Sequence, residues 1–248
     1  MKSCVRLVTC APLFLLFVAG SCPSPVPIPP PQLSAPIITN ISVDPFMFQT
    51  SPGYRPAIHV QWNMAANGTL GVQEFIIFQK LPGDSSYSLL VRSIPGSVSN
   101  YFENIDDIGY PVHLNLKTVL FRILAIDSIG RASDTSSSDS VVLAWPPNPI
   151  SPLESDTISN DSLVWSVGNV EAGYYTNSMM YGDSAGLVWS ESQPLVPIYG
   201  AENDTERFSA KISNSILPLT SGGYSWVIRV EMLSVNAQAI AVRRLYAK

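Results

Sequence analysis

Residues 57–62 read Ala57-Ile58-His59-Val60-Gln61-Trp62, and their alternation sets the fold class. In an extended chain Ile58, Val60 and Trp62 fall on one face and His59 and Gln61 on the other, the period of two that a strand with one buried face requires. This register makes Trp62 a core side chain and puts His59 in solvent. Outward along the chain, Phe75-Ile76-Ile77-Phe78 gives way to the turn sequence Pro82-Gly83-Asp84. Val119 to Ile126 is apolar on both faces, as a central strand would be, and stops at the turn sequence Asp127-Ser128-Ile129-Gly130. Farther on, Tyr224, Trp226, Ile228, Val230 and Met232 recur at period two. Their opposite face carries Ser225, Arg229 and Glu231, which predicts a half-buried strand with Trp226 in the core and these polar groups in water. Ala239 to Lys248 reads as a closing strand.

Only 13% of the 248 residues are charged, while Pro, Gly, Ser and Thr are plentiful. That balance suits many short strands joined by turns. The stretch Trp145-Pro146-Pro147-Asn148-Pro149 interrupts the strand signals, because three prolines in four positions break regular structure. Leu163-Val164-Trp165 resumes them. The sequence therefore predicts an all-β protein of two β-sandwich domains, 36–145 and 150–248, each folding separately. They are similar in architecture more than in sequence, so no tandem repeat is assigned.

The first domain resembles fibronectin type III over about 110 residues. Trp62 occupies the place of that family's second-strand core tryptophan, and Phe75-Ile76-Ile77-Phe78-Gln79 is similar to its Tyr-x-Ile-Tyr-Arg third strand. Phe121-Arg122-Ile123-Leu124-Ala125 with Gly130 resembles the sixth strand and its exit loop. The family's corner tyrosine, two residues before Phe121, is replaced by Val119, so its backbone hydrogen bond is missing there. In the second domain Gly223-Tyr224-Ser225-Trp226, ahead of Arg229-Val230, is similar to a strand of divergent fibronectin-like modules, and an unrelated sandwich is the rival reading. No Arg-Gly-Asp tripeptide occurs.

At the N-terminus Lys2 and Arg6 precede Leu7 to Gly20, an uncharged run of 14 residues. A bilayer-spanning helix needs about 20. The run ends in Ala19-Gly20-Ser21-Cys22 and resembles a bacterial lipoprotein signal over residues 1–22. In that family the cysteine thiol takes a diacylglycerol, the chain is cut just before it and the new amine is acylated. The preferred pattern has Leu three residues before the cysteine; here Ala19 stands there. Ala19-x-Ser21 also satisfies the small-x-small rule of ordinary secretion. Cysteine usage favours acylation: of Cys4, Cys10 and Cys22 only Cys22 outlasts cleavage, and a lone thiol in an exported protein needs a purpose. Pro23 to Pro36 holds seven prolines in 14 residues and reads as an extended tether of about 40 Å. The organisation expected is thus a signal peptide over 1–21, the lipidated Cys22 and linker over 22–35, then the two sandwiches, at the cell envelope and anchored to a membrane by the lipid.

Composition and motifs narrow the functions. Loss of residues 1–21 takes Lys2 and Arg6 from 14 basic side chains and nothing from 19 acidic ones, leaving 12 against 19 and a charge of −7. That sign does not suit a nucleic-acid partner. Only His59 and His113 could serve as imidazole bases, and no Gly-x-Ser-x-Gly elbow, His-Glu-x-x-His or Gly-x-x-x-x-Gly-Lys motif occurs. Neither a catalytic set, a cofactor nor a metal site is assigned. Asp106-Asp107, Asp183 and Asn203-Asp204-Thr205-Glu206 offer oxygen ligands for calcium without EF-hand spacing, and solvated turns are the plainer reading. Asn-x-Ser/Thr triplets at Asn40, Asn67, Asn160 and Asn203 suit chance in so Ser- and Thr-rich a chain. The leading reading is a lipid-anchored, non-catalytic binding or structural module with an unidentified protein or glycan partner. A carbohydrate-binding or adhesin-like accessory protein is the alternative, with Tyr54, Tyr110, Trp189 and Tyr199 as candidate loop contacts, and a hydrolase is disfavoured.

Overall fold

The computed structural model describes residues 33–50, 53–64, 71–105, 117–144, 146–158, 162–168, 174–194, 205–212, 219–232 and 237–247. Cys22, the N-terminal run and most of the tether lie outside them, as do Asp106, Asp107, Tyr110, His113, Tyr199, Asn203 and Asp204. Leu33 to Lys248 forms one compact unit. Its described residues form strands and no long helix. In the first half these are β1 (Pro36–Phe46), β2 (Arg55–Met64), β3 (Val72–Lys80), β4 (Ser88–Pro95), β5 (Asn100–Asn104), β6 (Lys117–Asp127) and β7 (Asp139–Leu143). The second half holds β8 (Asn148–Ser151), β9 (Ser162–Gly168), β10 (Tyr174–Gly182), β11 (Gly186–Pro194), β12 (Thr205–Lys211), β13 (Gly222–Met232) and β14 (Ala237–Ala247).

Alternation places the first core. Ile58, Val60 and Trp62 of β2 face Phe75 and Ile77 of β3 and Val119, Phe121 and Ile123 of β6, all buried. The turn after β6 closes as its sequence predicts: the Asp127 carboxylate accepts hydrogen bonds from the Ile129 and Arg131 amides at 3.0 and 2.8 Å, and Gly130 takes a φ of 80°. Sheet β1-β2-β5 lies against β7-β6-β3-β4.

The second half repeats this topology strand for strand, with β8-β9-β12 against β14-β13-β10-β11. A repeat invisible in the sequence is therefore present in the fold. Trp165 on β9 stands where Trp62 stands on β2. Trp165 donates from Nε1 to Thr176 Oγ1 at 3.2 Å, and Trp226 to Ser178 Oγ at 2.9 Å, so two buried hydroxyls of β10 satisfy two indoles. The corner hydrogen bond missing at Val119 is found here instead. The Tyr224 hydroxyl, two residues before Trp226, donates to the Thr220 carbonyl at 2.8 Å. Val119 fills the equivalent place as a fully buried aliphatic.

Two expectations need correction. Pro149 does not prevent regular structure: β8 runs through it and pairs with β9, which an edge strand tolerates because its outer side needs no donor. The first strand of the second sandwich thus begins inside the expected break. The face of β13 opposite Trp226 is not in water either. Ser225 and Val227 are buried, Val227 in the first half's core and Trp226 and Ile228 in the second's.

The cause is the seam between the sandwiches. β7 and β14 pair in parallel, Ala237 with Val142 and Gln238 with Leu143, making one eight-stranded sheet, β11-β10-β13-β14-β7-β6-β3-β4. Successive residues of a strand point to opposite faces. Ala237, Ala239 and Leu245 of β14 enter the second core while Ile240 enters the first. The two three-stranded sheets therefore lie on opposite faces of the long one, and the central strands are covered on both sides.

Trp62 and Trp226 are 1% and 0% exposed. Replacing either by Ala should cost about 3–5 kcal/mol through lost transfer energy and a cavity, against roughly 5–15 kcal/mol for a whole fold. Because Val227 and Ile240 belong to the first core, calorimetry on residues 33–248 should record one unfolding transition that either substitution moves as a whole. Two separate peaks, each answering to only one tryptophan, would show the seam to be energetically weak. Tyr224→Phe removes the corner hydrogen bond with little change of volume and should lower stability by about 1 kcal/mol in denaturant titration.

Candidate functional site

The polar groups that chemistry would require gather at this seam. β1 and the chain leading into β2 lie over β13 and β14. Asp44 of β1 forms an ion pair with Arg229 of β13, and its other oxygen lies 3.3 Å from His59 Nδ1 and accepts from the Ser42 hydroxyl. The Val43 amide donates to Gln238 Oε1 at 2.8 Å, and the Tyr54 amide to Ser225 Oγ at 3.0 Å. The Tyr54 and Tyr181 rings meet at 4.6 Å. Gly53, at a φ of 75°, passes so close to Arg244 and Ser225 that a Cβ there would clash with the guanidinium.

His59 is not the solvated sheet residue its alternation suggested. Its ring stacks on Phe102 at 4.0 Å, Phe102 stacks on Phe46 at 3.8 Å, and the imidazole side chain is 16% exposed. The cross-strand neighbours His59 and Phe102 shelter each other, a pairing that one strand's pattern cannot reveal.

Ser42, Asp44 and His59 are the residue types of a hydrolytic triad, but their order is wrong for one. A nucleophile needs its hydroxyl on the imidazole nitrogen remote from the carboxylate. Here the Ser42 hydroxyl bonds the carboxylate itself, and His59 Nε2 is buried with no partner among the described residues. The arrangement can hold charge and orient strands, and among the described residues the Ser42 hydroxyl is not on the imidazole.

Burial opposes ionisation of Asp44, yet the Ser42 hydroxyl, Arg229 and His59 outweigh it and hold the carboxyl below its ordinary value of 3.8. Burial pushes the Tyr181 phenol above its ordinary range. Among the described residues no three His, Cys, Asp or Glu side chains lie close enough to hold a metal ion. The Asp183 carboxylate, a candidate calcium ligand, is occupied by both terminal nitrogens of Arg244.

The loop aromatics also need revision. Trp189 lies in β11, 7% exposed, inside the second core, where it faces Met180 across the hairpin. Tyr54 is half-buried against Tyr181 and forms no open platform. Tyr110 and Tyr199 fall outside the described residues, with His113 and the acidic pair Asp106-Asp107. Asp44, Arg229 and Gln238 escaped sequence reasoning. Asp44 and Arg229 are 185 residues apart, and Arg229 sits in a strand whose pattern assigns it to solvent.

No family model matches the chain, and no curated protein matches it. Among solved structures it is similar to the crystal structure of the FN1–FN3 domains of chicken CNTN1, at 13% identity, covering 88% of this chain and 67% of that one with a TM-score of 0.31. So loose an overlap carries no argument about ligand or partner. The fold itself defines the class: an all-β protein of two β-sandwiches of the same strand order, joined through one sheet.

The depressed carboxyl of Asp44 makes the seam pH-sensitive. A group whose folded pKa lies below its unfolded value stabilises fully above the unfolded value and loses that contribution as pH falls through the folded one. Asp44→Asn should therefore melt below the wild type at pH 7, and the difference should shrink on acidification below about pH 4. Thermal melts of both proteins between pH 7 and pH 2 test this; a gap that stays constant throughout would show that Asp44 does not carry it.

Proposed function

We propose that this protein is a non-catalytic binding or structural module of the bacterial cell envelope, held to a membrane by acyl chains on Cys22. The observation that carries the anchoring is Cys22 itself, the only cysteine after residue 21, placed at the small-residue exit of an uncharged 14-residue run. A proline-rich tether follows it, and the folded body begins within a few residues of the tether's end. Among the described residues no helix is long and apolar enough to cross a membrane, so in this reading the lipid does the holding. A single acyl chain binds a bilayer only marginally, whereas a diacylglycerol thioether with an acylated amine supplies the further chains that lasting attachment needs.

The module part of the reading is supported by how the polar side chains are used. His59, Asp44, Arg229 and Arg244 join strand to strand, leaving recognition to loops and sheet faces, where sandwich proteins commonly carry it. The two sandwiches, 36–145 and 150–248 in the sequence reading, act in this proposal as one presenting surface because the seam holds them in a fixed relation.

Labelled palmitate should enter the wild-type chain in a bacterial host and not Cys22→Ser, which should also leave the membrane fraction. Equal labelling of both proteins would reject the anchor and leave ordinary secretion.

A further inference from the structure

The long sheet has two equivalent outer faces, one in each half, and the fold treats them differently. In the second half, the face bearing Val227 and Arg229 is covered by β1 and the chain at Tyr54. In the first half, the matching face of β3 and β6 has no such cover among the described residues, although it is largely apolar. Phe75, Ile77, Phe121 and Ile123 point inward and are buried, so Ile76, Phe78, Leu120 and Leu124 point outward, and each is half-buried. On the neighbouring strand Leu89, paired with Phe78, is 46% exposed. This explains the sequence reading of β6 as apolar on both faces: one face is core and the other is the half-buried outer side of the sheet.

The register arranges this face in four rows: Glu74 beside Ile126, Ile76 beside Leu124, Phe78 beside Arg122, and Lys80 beside Leu120. We propose that it is a two-fold interface with a second copy of this chain. When the same face of two copies meets about an axis lying across the strands, the row order reverses. Glu74 then faces Lys80 of the second copy and Lys80 its Glu74, while Ile76 meets Phe78 and Ile126 meets Leu120. Arg122 comes opposite Leu124, and its guanidinium is already drawn aside over the Tyr87 ring at 4.4 Å, leaving its aliphatic stem on the face. Neither Glu74 nor Lys80 takes part in an ion pair among the described residues. The face is thus complementary to itself in charge as well as in apolar content, which selects a second copy over an unrelated partner. Three strands about 4.8 Å apart and seven residues at about 3.4 Å give roughly 350 Å² a side, well under the ~800 Å² of a standard interface. The dimer is accordingly weak in solution and is favoured where a lipid anchor concentrates copies on one surface.

Sedimentation equilibrium on residues 33–248, the compact unit that encloses both cores, tests the proposal without using Cys22, so it stands or falls apart from the anchoring. The wild type should dimerise reversibly. Glu74→Lys and Lys80→Glu alone each place like charges together twice and should weaken association about tenfold. The double exchange E74K/K80E restores opposite charges and should return it to within about threefold of wild type. All four proteins should share one tryptophan emission spectrum, because neither position touches a core. A wild type that stays monomeric to about 1 mM overturns the proposal. So does association that ignores the single exchanges, or a double exchange that fails to recover it.

Discussion

A strand at the edge of a sheet presents unpaired amides and carbonyls that must be covered or paired, and two sandwiches placed in series would ordinarily leave β7 and β14 as such edges. Here each closes the other. The parallel pairing is short, two residue pairs, yet the rest of the architecture follows from it. It merges two four-stranded sheets into one, obliges the three-stranded sheets to lie on opposite faces, and turns β13 and β14 into strands buried on both sides. The remainder of the β14 edge is sealed by other means. Arg244 and Tyr246 exchange main-chain hydrogen bonds with Ser155, Asp156 and Ile158, and Gln238 reaches the Val43 amide. Ala237 and Ala239 of β14 are buried in the second core.

Burying a strand on both faces commits its polar side chains to partners, since an unpaired charge in such a place is expensive. Arg229 answers this with Asp44, Ser225 with the Tyr54 amide, and Arg244 with Asp183. Asp44 is the hub, because Ser42, His59 and Arg229 all converge on its carboxylate. The gathering resembles catalytic chemistry in residue types alone. Its geometry is that of a clasp, with the serine on the carboxylate and the imidazole stacked on the Phe102 ring.

The tryptophans show how the two halves solve one packing problem differently. Trp165 and Trp226 sit edge to face at 6.2 Å, and each donates to a hydroxyl of β10. Thr176 and Ser178 are fully buried, though a strand reading of β10 would put small hydroxylated residues outside. Trp62 instead packs its edge against Phe75 at 5.4 Å, and its Nε1 is buried without a partner among the described residues. Tyr224 makes the corner hydrogen bond in one half, and a buried Val119 stands at the equivalent place in the other. The two halves share one topology and hold it by different side chains.

How much of this was legible depended on the range of the interaction. Period-two alternation is local, so β2, β3, β6 and β13 and the inward direction of Trp62 and Trp226 could be read from a few neighbouring residues. The Asp127 turn and the N-terminal run ending at Cys22 are equally local in their chemistry. Alternation fixes which side chains share a face, but not whether a second sheet covers the other one. That is why alternation assigns Arg229, His59 and Ser225 to water while they lie at a seam, why Trp189 reads as a loop contact and lies in a core, and why Pro149 reads as a break and lies in an edge strand. The sequence by itself determined the all-β class, the strand faces and the residues able to enter a core. Only the tertiary structure decided that β7 would meet β14 and Asp44 would meet Arg229, because both are pairings between distant segments whose partners carry no mark of each other until the chain brings them together.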